Sequence, residues 1–248
     1  MDIDGISPRM LEAGFYNMDC MDGMAQFPDK FFELAIVDPI YGDVTQGGYM
    51  RNPHTCDKMA KAVDYHLSIW SNEKTPKAYF DELKRVSQNQ IIWGGNYFQT
   101  SVNADSQGWV VWDKENGDNN FADCELAWTS FNRATRMFRF RWAGMLQGNM
   151  KHKETRIHPT QKPIALYKWL LSNYAKPGDK ILDTHVGSAS SLIACHQMGF
   201  EYWGFELDAV YFKAATERLS KVKAQVSMTE LIEQVIPEQV TIGGEYGH

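Results

Sequence analysis

The residues with the clearest chemistry are Asp38-Pro39-Ile40-Tyr41, which end the apolar run Phe31-Phe32-Glu33-Leu34-Ala35-Ile36-Val37. A carboxylate, a fixed backbone carbonyl and an aromatic ring are what is needed to hold a flat base by its exocyclic amine. Asp38 would accept one N–H, the Pro39 carbonyl the other, and Tyr41 would stack on the base. Held in this way, the amine turns its lone pair out of conjugation and toward an electrophile. Alignment of this kind lowers barriers by about 7–11 kcal/mol. No strong base is needed, because the amine proton becomes acidic only after the transfer. Standing alone, the tetrapeptide also reads as a strand-ending turn with a surface ring.

A second constellation lies downstream: Asp183, then Gly187-Ser188-Ala189-Ser190, then Glu206. The small-residue loop lets a ligand approach the backbone. An acid ending the next strand, about twenty residues on, can accept both hydroxyls of a ribose. G-x-G-x-x-G is absent and no P-loop lysine follows, so nothing here cradles a pyrophosphate. A nucleoside cofactor without phosphates fits better, and S-adenosylmethionine is the obvious candidate. A plain strand–helix turn has the same outline.

The elements that must position these groups alternate. Phe15 to Met18 reads as a short strand, Cys20 to Gln26 as a short helix at most, and Phe32 to Val37 as a buried strand. Gly42 to Lys74 is a long excursion, functional or mobile. Pro76 opens a helix with the apolar face Tyr79, Phe80, Leu83 and Val86. Gln90 to Trp93 is a strand ended by Gly94-Gly95. Gly108 to Trp112 and Cys124 to Ser130 are strands joined by the turn-rich Asn116–Asn120. Met137 to Trp142 alternates Phe138, Phe140 and Trp142 with Arg139 and Arg141, the period of a strand. Pro163 to Tyr174 predicts a helix, Lys180 to Asp183 a strand, Gly187 to about Met198 a helix, Tyr202 to Glu206 a strand, and Ala209 to about Lys223 a helix. This order predicts an α/β fold, a doubly wound and mostly parallel sheet.

At 248 residues, 44% hydrophobic and 23% charged, the chain is ordinary globular material. It reads as a single domain over residues 1–224 with a tail over 225–248. A signal peptide and a membrane span are not evident, so a cytoplasmic protein is expected. Cys20, Cys56, Cys124 and Cys195 are far apart without a C-x-x-C pair, which suggests reduced thiols and no metal framework. The net charge is −6, but the segment 133–156 carries +6 from Arg133, Arg136, Arg139, Arg141, Lys151, Lys153 and Arg156 against Glu154. A DNA-facing patch on an acidic enzyme has this asymmetry; so does a solvated strand face with arginine stems over apolar surface. Arg51, Lys58, Lys61 and His66 make the 42–74 excursion a second candidate DNA surface, or a mobile lid.

Longer motifs carry a resemblance. His158-Pro159-Thr160-Gln161-Lys162-Pro163, Pro177-Gly178-Asp179, Ile181-Leu182-Asp183 and Gly187-Ser188 follow Asn17-Met18-Asp19-Cys20 and Asp38-Pro39-Ile40-Tyr41. Over about Phe15 to Leu219 the chain resembles the β class of amino-group (N6-adenine/N4-cytosine) DNA methyltransferases. There the catalytic motif precedes the cofactor motif, a circular permutation of the Rossmann-like order. Trp93-Gly94-Gly95-Asn96-Tyr97-Phe98 and Trp112-Asp113-Lys114 are similar to the short phage-type members.

The resemblance implies S-adenosylmethionine as cofactor. Asp183, Gly187 and Ser188 would line its methionine end, Thr160 and Lys162 would reach its carboxylate, Glu206 would hold its ribose, and Asp19 with Cys20 would border its adenine. It implies Asp38, Pro39 and Tyr41 as catalytic residues, double-stranded DNA as partner, and residues 133–157 as a short target-recognition insertion. Asp38 favours the N6 amine of a flipped adenine in a restriction–modification or phage-type setting, and a homodimer stays open. Four positions depart from the family pattern: Ile40 and Thr184 stand for Pro, His185 for Phe and Ala189 for Gly. Loss of proline at Ile40 is expected to lower or alter activity, and Ala189 to be tolerated with a negative φ. The competing readings are a cytosine-N4 or RNA methyltransferase and a degenerate DNA-binding homologue; Asp38 speaks against a glutamine methylase.

Overall fold

A computed structural model describes residues 10–42, 74–103, 105–116, 122–143 and 146–235, with side chains to residue 225. The 43–73 excursion, with Arg51, Cys56, Lys58, Lys61 and His66, lies outside the described residues, as do 117–121 and 236–248. The strands are β1 (Gly14–Asn17), β2 (Phe32–Val37), β3 (Ser87–Trp93), β4 (Trp109–Asp113), β5 (Cys124–Thr129), β6 (Arg136–Arg139), β7 (Trp142–Ala143), β8 (Leu146–Gln147), β9 (Lys180–Asp183) and β10 (Glu201–Glu206). The helices are α1 (Cys20–Met24), α2 (Lys77–Val86), α3 (Ile164–Tyr174), α4 (Ser190–Gln197) and α5 (Ala209–Val235).

Eight strands form one sheet in the order β1-β10-β9-β2-β3-β5-β4-β6. The first five are parallel; β5 runs antiparallel to β3 and β4, and β6 runs parallel to β4. The continuous apolar run of β2 follows from coverage on both faces. Leu34 and Ile36 enter the core shared with Leu166, Leu170 and Leu192 of α3 and α4. Ala35 and Val37 enter the opposite core, with Met24 of α1 and Tyr79, Phe80 and Leu83 of α2. The sheet is therefore doubly wound. From β9 the chain winds outward to β10, and from β2 to β3 on the other side. The adjacent ends of β9 and β2, Asp183 and Asp38, flank the topological switch point where ligands enter such sheets. Among the described residues no helix is long and apolar enough to cross a membrane.

Several expected boundaries move. The expected strand 137–142 is β6 and β7, because the chain leaves the ladder after Arg139 and Trp142 turns inward, its indole donating to the Gln161 carbonyl at 2.9 Å. The helix expected from Gly187 starts at Ser190, because Gly187 (φ +54) and Ala189 (φ +61) are left-handed. The condition for tolerating Ala189, a negative φ, is thus not met. Its methyl is fully buried among α4 neighbours in the core, which opposes the backbone cost of about 1–2 kcal/mol for a non-glycine residue there. Helix α5 runs past the expected stop near Lys223, through the boundary drawn at 224/225.

Beyond β3 the chain turns through Gly94 (φ +65) into a short 3-10 turn, Gly95–Tyr97. A Cβ at Gly95 would lie 2.5 Å from the Trp128 Cβ and 3.0 Å from its backbone nitrogen. Gly95→Ala should therefore lower the unfolding free energy by about 1–3 kcal/mol in urea denaturation. Unchanged stability would contradict this close approach.

Candidate active site

The C-terminal ends of β1, β2, β9 and β10 surround a cleft of about 520 Å³. Asp38, Pro39 and Tyr41 form one wall, the 184–188 loop the floor, and Glu206 with Asp19 and Cys20 the far side; Thr160 and His158 close the top. All but one of the residues expected to carry catalysis and cofactor binding, Lys162 included, line this one cavity, although they span most of the chain; Asp183 is buried and does not line it.

Asp38 is held from one side. The Lys162 ammonium donates to its Oδ2 at 2.5 Å, and Lys162 also pairs with Glu125 Oε2 at 3.1 Å. Glu125 Oε1 is 2.6 Å from the Lys114 ammonium. Two ammonium groups and two carboxylates alternate in a neutral chain, so burial does not force any of them to discharge. Burial raises the pKa of Asp38 and the Lys162 charge opposes it. Burial would likewise raise Glu125, yet Lys162 and Lys114 hold it below the usual carboxylate range. Lys162 is pushed well above its ordinary value by the two carboxylates, against burial. Among the described residues the other oxygen of Asp38, Oδ1, is a buried acceptor without a hydrogen-bond partner. An acceptor of this kind in a cleft is poised for an N–H from outside.

This geometry departs from the role expected of Lys162. Its side chain is 2% exposed and its charge is committed to Asp38 and Glu125 rather than presented for a cofactor carboxylate. The loop at Ile40 is held by another device. Thr75 donates to the Ile40 carbonyl from its amide at 2.9 Å and from its hydroxyl at 2.8 Å, restraining the backbone where proline is absent. Tyr41 does not present a free ring: Tyr97 stacks on it with centroids 4.8 Å apart and an interplanar angle of 5°. A Cβ at Gly94 would strike the Tyr41 ring at 2.6 Å, which together with the left-handed backbone explains glycine at that position.

The cofactor side is built from backbone amides and acids. Glu206 accepts the Gly187 amide at 2.8 Å and the Asp208 amide at 2.9 Å, fixing its carboxylate at the end of β10. Asp183 accepts the His185 amide at 3.0 Å and the Ser191 hydroxyl; burial pushes its pKa up to about 7 against these donors. Asp19 caps α1, accepting the Met21 amide at 2.7 Å. Burial and the neighbouring Asp19 push the Cys20 thiol up to about 12, so Cys20 borders the cleft as a neutral group. The Thr160 hydroxyl lies 3.1 Å from His158 Nδ1, and the His158 ring lies 3.4 Å from where a Gly187 Cβ would be, a narrow cradle for the loop. Ser188 is tied to α5 by Arg218, which donates to the Ser188 carbonyl at 2.7 Å.

The basic segment divides. β6 runs parallel to β4, so Arg139 lies at the end of the sheet that carries Asp38, paired with Asp113 at 3.4 Å. Arg136 sits three residues earlier, about 10 Å back along the strand, and Arg133 donates to the Asn173 carbonyl at the far end of α3. These two line a shallow depression with Trp169 and Tyr174, at the opposite end of the sheet from the cleft. Arg156 stacks on Trp142 at 4.5 Å. Arg141, Lys151 and Lys153 are exposed. Glu154 is tied inward, accepting the Ile164 amide at 2.9 Å and pairing with Arg218 at 2.6 Å, so Arg218 joins this segment to the Ser188 loop.

Sequence reasoning assigned no role to Glu125, Lys114, Thr75 or Tyr97. Only Lys114 and Tyr97 sit in runs that carried the resemblance, and a lone glutamate on a strand gives no signal of its own. Thr184 and His185 are explained together. The Thr184 oxygen is 2.5 Å from the buried Tyr79 hydroxyl and 2.9 Å from His185 Nδ1, and the His185 ring meets Tyr79 edge-on at 5.2 Å. Burial holds His185 neutral, its pKa lowered to about 4. An unfolded chain with an ordinary histidine takes up a proton between about pH 6.5 and 4 that the folded chain does not, so this group removes stability as pH falls through that window. His185→Phe should therefore lose less stability than the wild type between pH 7 and 4 in thermal unfolding. An identical pH slope would contradict a neutral buried ring.

Similarity to known proteins agrees with the geometry. The N6/N4 DNA methylase family matches residues 48–217. The type II methyltransferase M.HinfI of Haemophilus influenzae is 24% identical over 253 residues, 86% of this chain and 70% of that protein. Among solved structures, the M1.HpyAVI–SAM complex superposes with a TM-score of 0.52 at 17% identity, over 82% of this chain and 98% of that one. The cytosine-N4-specific PvuII DNA methyltransferase gives 0.53 at 10% identity, over 88% and 93%. These two structures establish the Rossmann-like methyltransferase fold. With the family match spanning most of the chain, and with Asp38 after β2 and Glu206 of β10 lining one cleft, the protein belongs to the N6/N4 DNA methylase family.

Proposed function

We propose that the protein transfers the methyl group of S-adenosylmethionine to the N6 amine of an adenine flipped out of duplex DNA. The observation that carries this reading is Asp38: it lines the cleft with one oxygen held by Lys162, and among the described residues its other, buried oxygen has no hydrogen-bond partner. The family match starts at residue 48, so the role of Asp38 rests on geometry and on its place before Pro39.

The cleft suits a nucleoside sulfonium. Glu206, fixed by two backbone amides, would accept the ribose hydroxyls; Asp19 and Cys20 would border the adenine; Gly187, Ser188 and Thr160 would line the methionine end, with the buried Asp183 bracing the loop through the His185 amide. The cofactor, when bound, supplies an electrophilic methyl group. The chain's own part is positional. Asp38 Oδ1 accepts one amine N–H and the Pro39 carbonyl the other, which aims the nitrogen lone pair into the cleft. As positive charge grows on the nitrogen, the carboxylate at hydrogen-bond distance is favoured over its ground-state value. Burial lifts the Asp38 pKa above the usual carboxylate value while the Lys162 charge opposes it, so Asp38 orients the amine and can take the proton shed after methyl transfer.

Tyr41 is the stacking partner for the flipped base, worth about 1–3 kcal/mol against the cost of unstacking it from the duplex. Tyr97 covers one face of that ring, so the base takes the other face or displaces Tyr97. The DNA-facing groups of residues 133–157 are Arg139, Arg141, Lys151, Lys153 and Arg156; Arg133 and Arg136 serve the far end of the sheet instead. Adenine is favoured over cytosine by the aspartate that opens the tetrapeptide.

The test is product identification. The purified protein is incubated with genomic DNA and isotope-labelled S-adenosylmethionine, the DNA is digested, and the nucleosides are resolved by mass spectrometry. Labelled N6-methyladenine is expected, falling at least about 100-fold in Asp38→Ala. Labelled N4-methylcytosine as the sole product would overturn the adenine assignment.

A further inference from the structure

We propose that Glu125 is a positioning residue for methyl transfer: through Lys162 it fixes the carboxylate of Asp38, with Lys114 as its balancing cation. The proposal rests on the reading of Asp38 as the amine acceptor. Glu125 lies near the start of β5, separated from β2 by β3. Its two oxygens are divided between two ammonium groups, Oε1 to Lys114 at 2.6 Å and Oε2 to Lys162 at 3.1 Å. Neither Glu125 nor Lys114 lines the cleft, and the contact that joins them to Asp38 is Lys162.

Lys162 has three N–H donors. One goes to Asp38 Oδ2 and one to Glu125 Oε2, and the ammonium sits 5.3 Å over the Trp93 ring. Two anchors at an angle fix the ammonium in direction as well as in charge. That fixes Oδ2 of Asp38, which leaves Oδ1 as the acceptor facing the cleft. With Glu125 neutralised, Lys162 keeps one anchor and is free to turn toward the anionic end of a bound cofactor. Asp38 then loses the contact that sets its rotation. The strands β5 and β3, antiparallel neighbours, hold this counter-charge on the side of Asp38 away from the cofactor loop. Glu125 thus separates two demands on one lysine, that of the catalytic carboxylate and that of the cofactor.

The test uses the full-length protein. Glu125→Gln keeps the shape and removes the charge. Its kcat for methyl transfer should fall at least about ten-fold, with KM for DNA and for S-adenosylmethionine within about two-fold. Glu125→Asp should recover part of the loss. Lys114→Gln, one contact further from Asp38, should lower kcat less, again at constant KM, and serves if Glu125→Gln does not fold. In a crystal structure of Glu125→Gln the Lys162 ammonium should have left hydrogen-bond distance of Asp38 Oδ2. Unchanged kcat in both variants, or Lys162 still seated on Asp38 in Glu125→Gln, would overturn the proposal. The Lys162–Asp38 distance is read without turnover, so it decides the positioning role even if the wild-type protein methylates cytosine or no base at all.

Discussion

The site depends on the contact between Lys162 and Asp38. A carboxylate at the end of a buried parallel strand would ordinarily protonate, and a protonated acid accepts an amine hydrogen poorly. The ammonium at 2.5 Å prevents this, and it survives burial only because Glu125 and Lys114 complete a neutral chain. A pair of this sort is a poor source of stability, since desolvation of both ions offsets most of their attraction. Its value lies in direction. It leaves one oxygen of Asp38 occupied and the other, among the described residues, a buried acceptor without a partner in a residue that lines the cleft. The antiparallel strands β4 and β5, which add nothing to the nucleotide-binding half, place Lys114 and Glu125 where this chain can close.

The architecture was largely legible in the sequence, for physical reasons. Runs such as 32–37 and 202–206 are apolar on both faces because helices cover both sides of the sheet, and their terminal acids stand where the strands leave the core. Boundaries failed where a local device outweighed the pattern. The alternation through Trp142 looked like one strand, but the indole found a carbonyl partner inside the protein and the ladder stopped. The start of α4 was misplaced because two left-handed residues, one of them Ala189, cannot be read from small-residue composition.

The site was legible in part. Residues from five separate segments meet in the cleft as expected, while Asp183 lies buried and outside its lining. Lys162, expected at the cofactor carboxylate, lines the cleft but pairs with Asp38 and Glu125, and Glu125 is distant in sequence and carries no motif. The seven-residue basic stretch was treated as one surface, yet a strand of four residues and the turn before it carry Arg133 and Arg136 away from the catalytic end. The departures at Thr184 and His185 looked like losses from a family pattern; in space they form one hydrogen-bonded cluster with Tyr79, and each accounts for the others. Ile40 is a similar case: Thr75 restrains its carbonyl in place of a proline ring.

Glu154 and Arg218 connect the two halves of the molecule. The single acid of the basic segment caps α3 and holds Arg218, which in turn holds the loop at Ser188 and Ser190. The basic segment and the Ser188 loop thus share one half-buried ion pair, while Asp38 has its own. The central claim, that Lys162 belongs to Asp38 rather than to the cofactor, is tested most directly by a crystal structure of the wild-type protein with S-adenosylhomocysteine bound. The account predicts Lys162 Nζ still within hydrogen-bond distance of Asp38 and Glu125. A lysine turned onto the carboxylate of the bound nucleoside would contradict it.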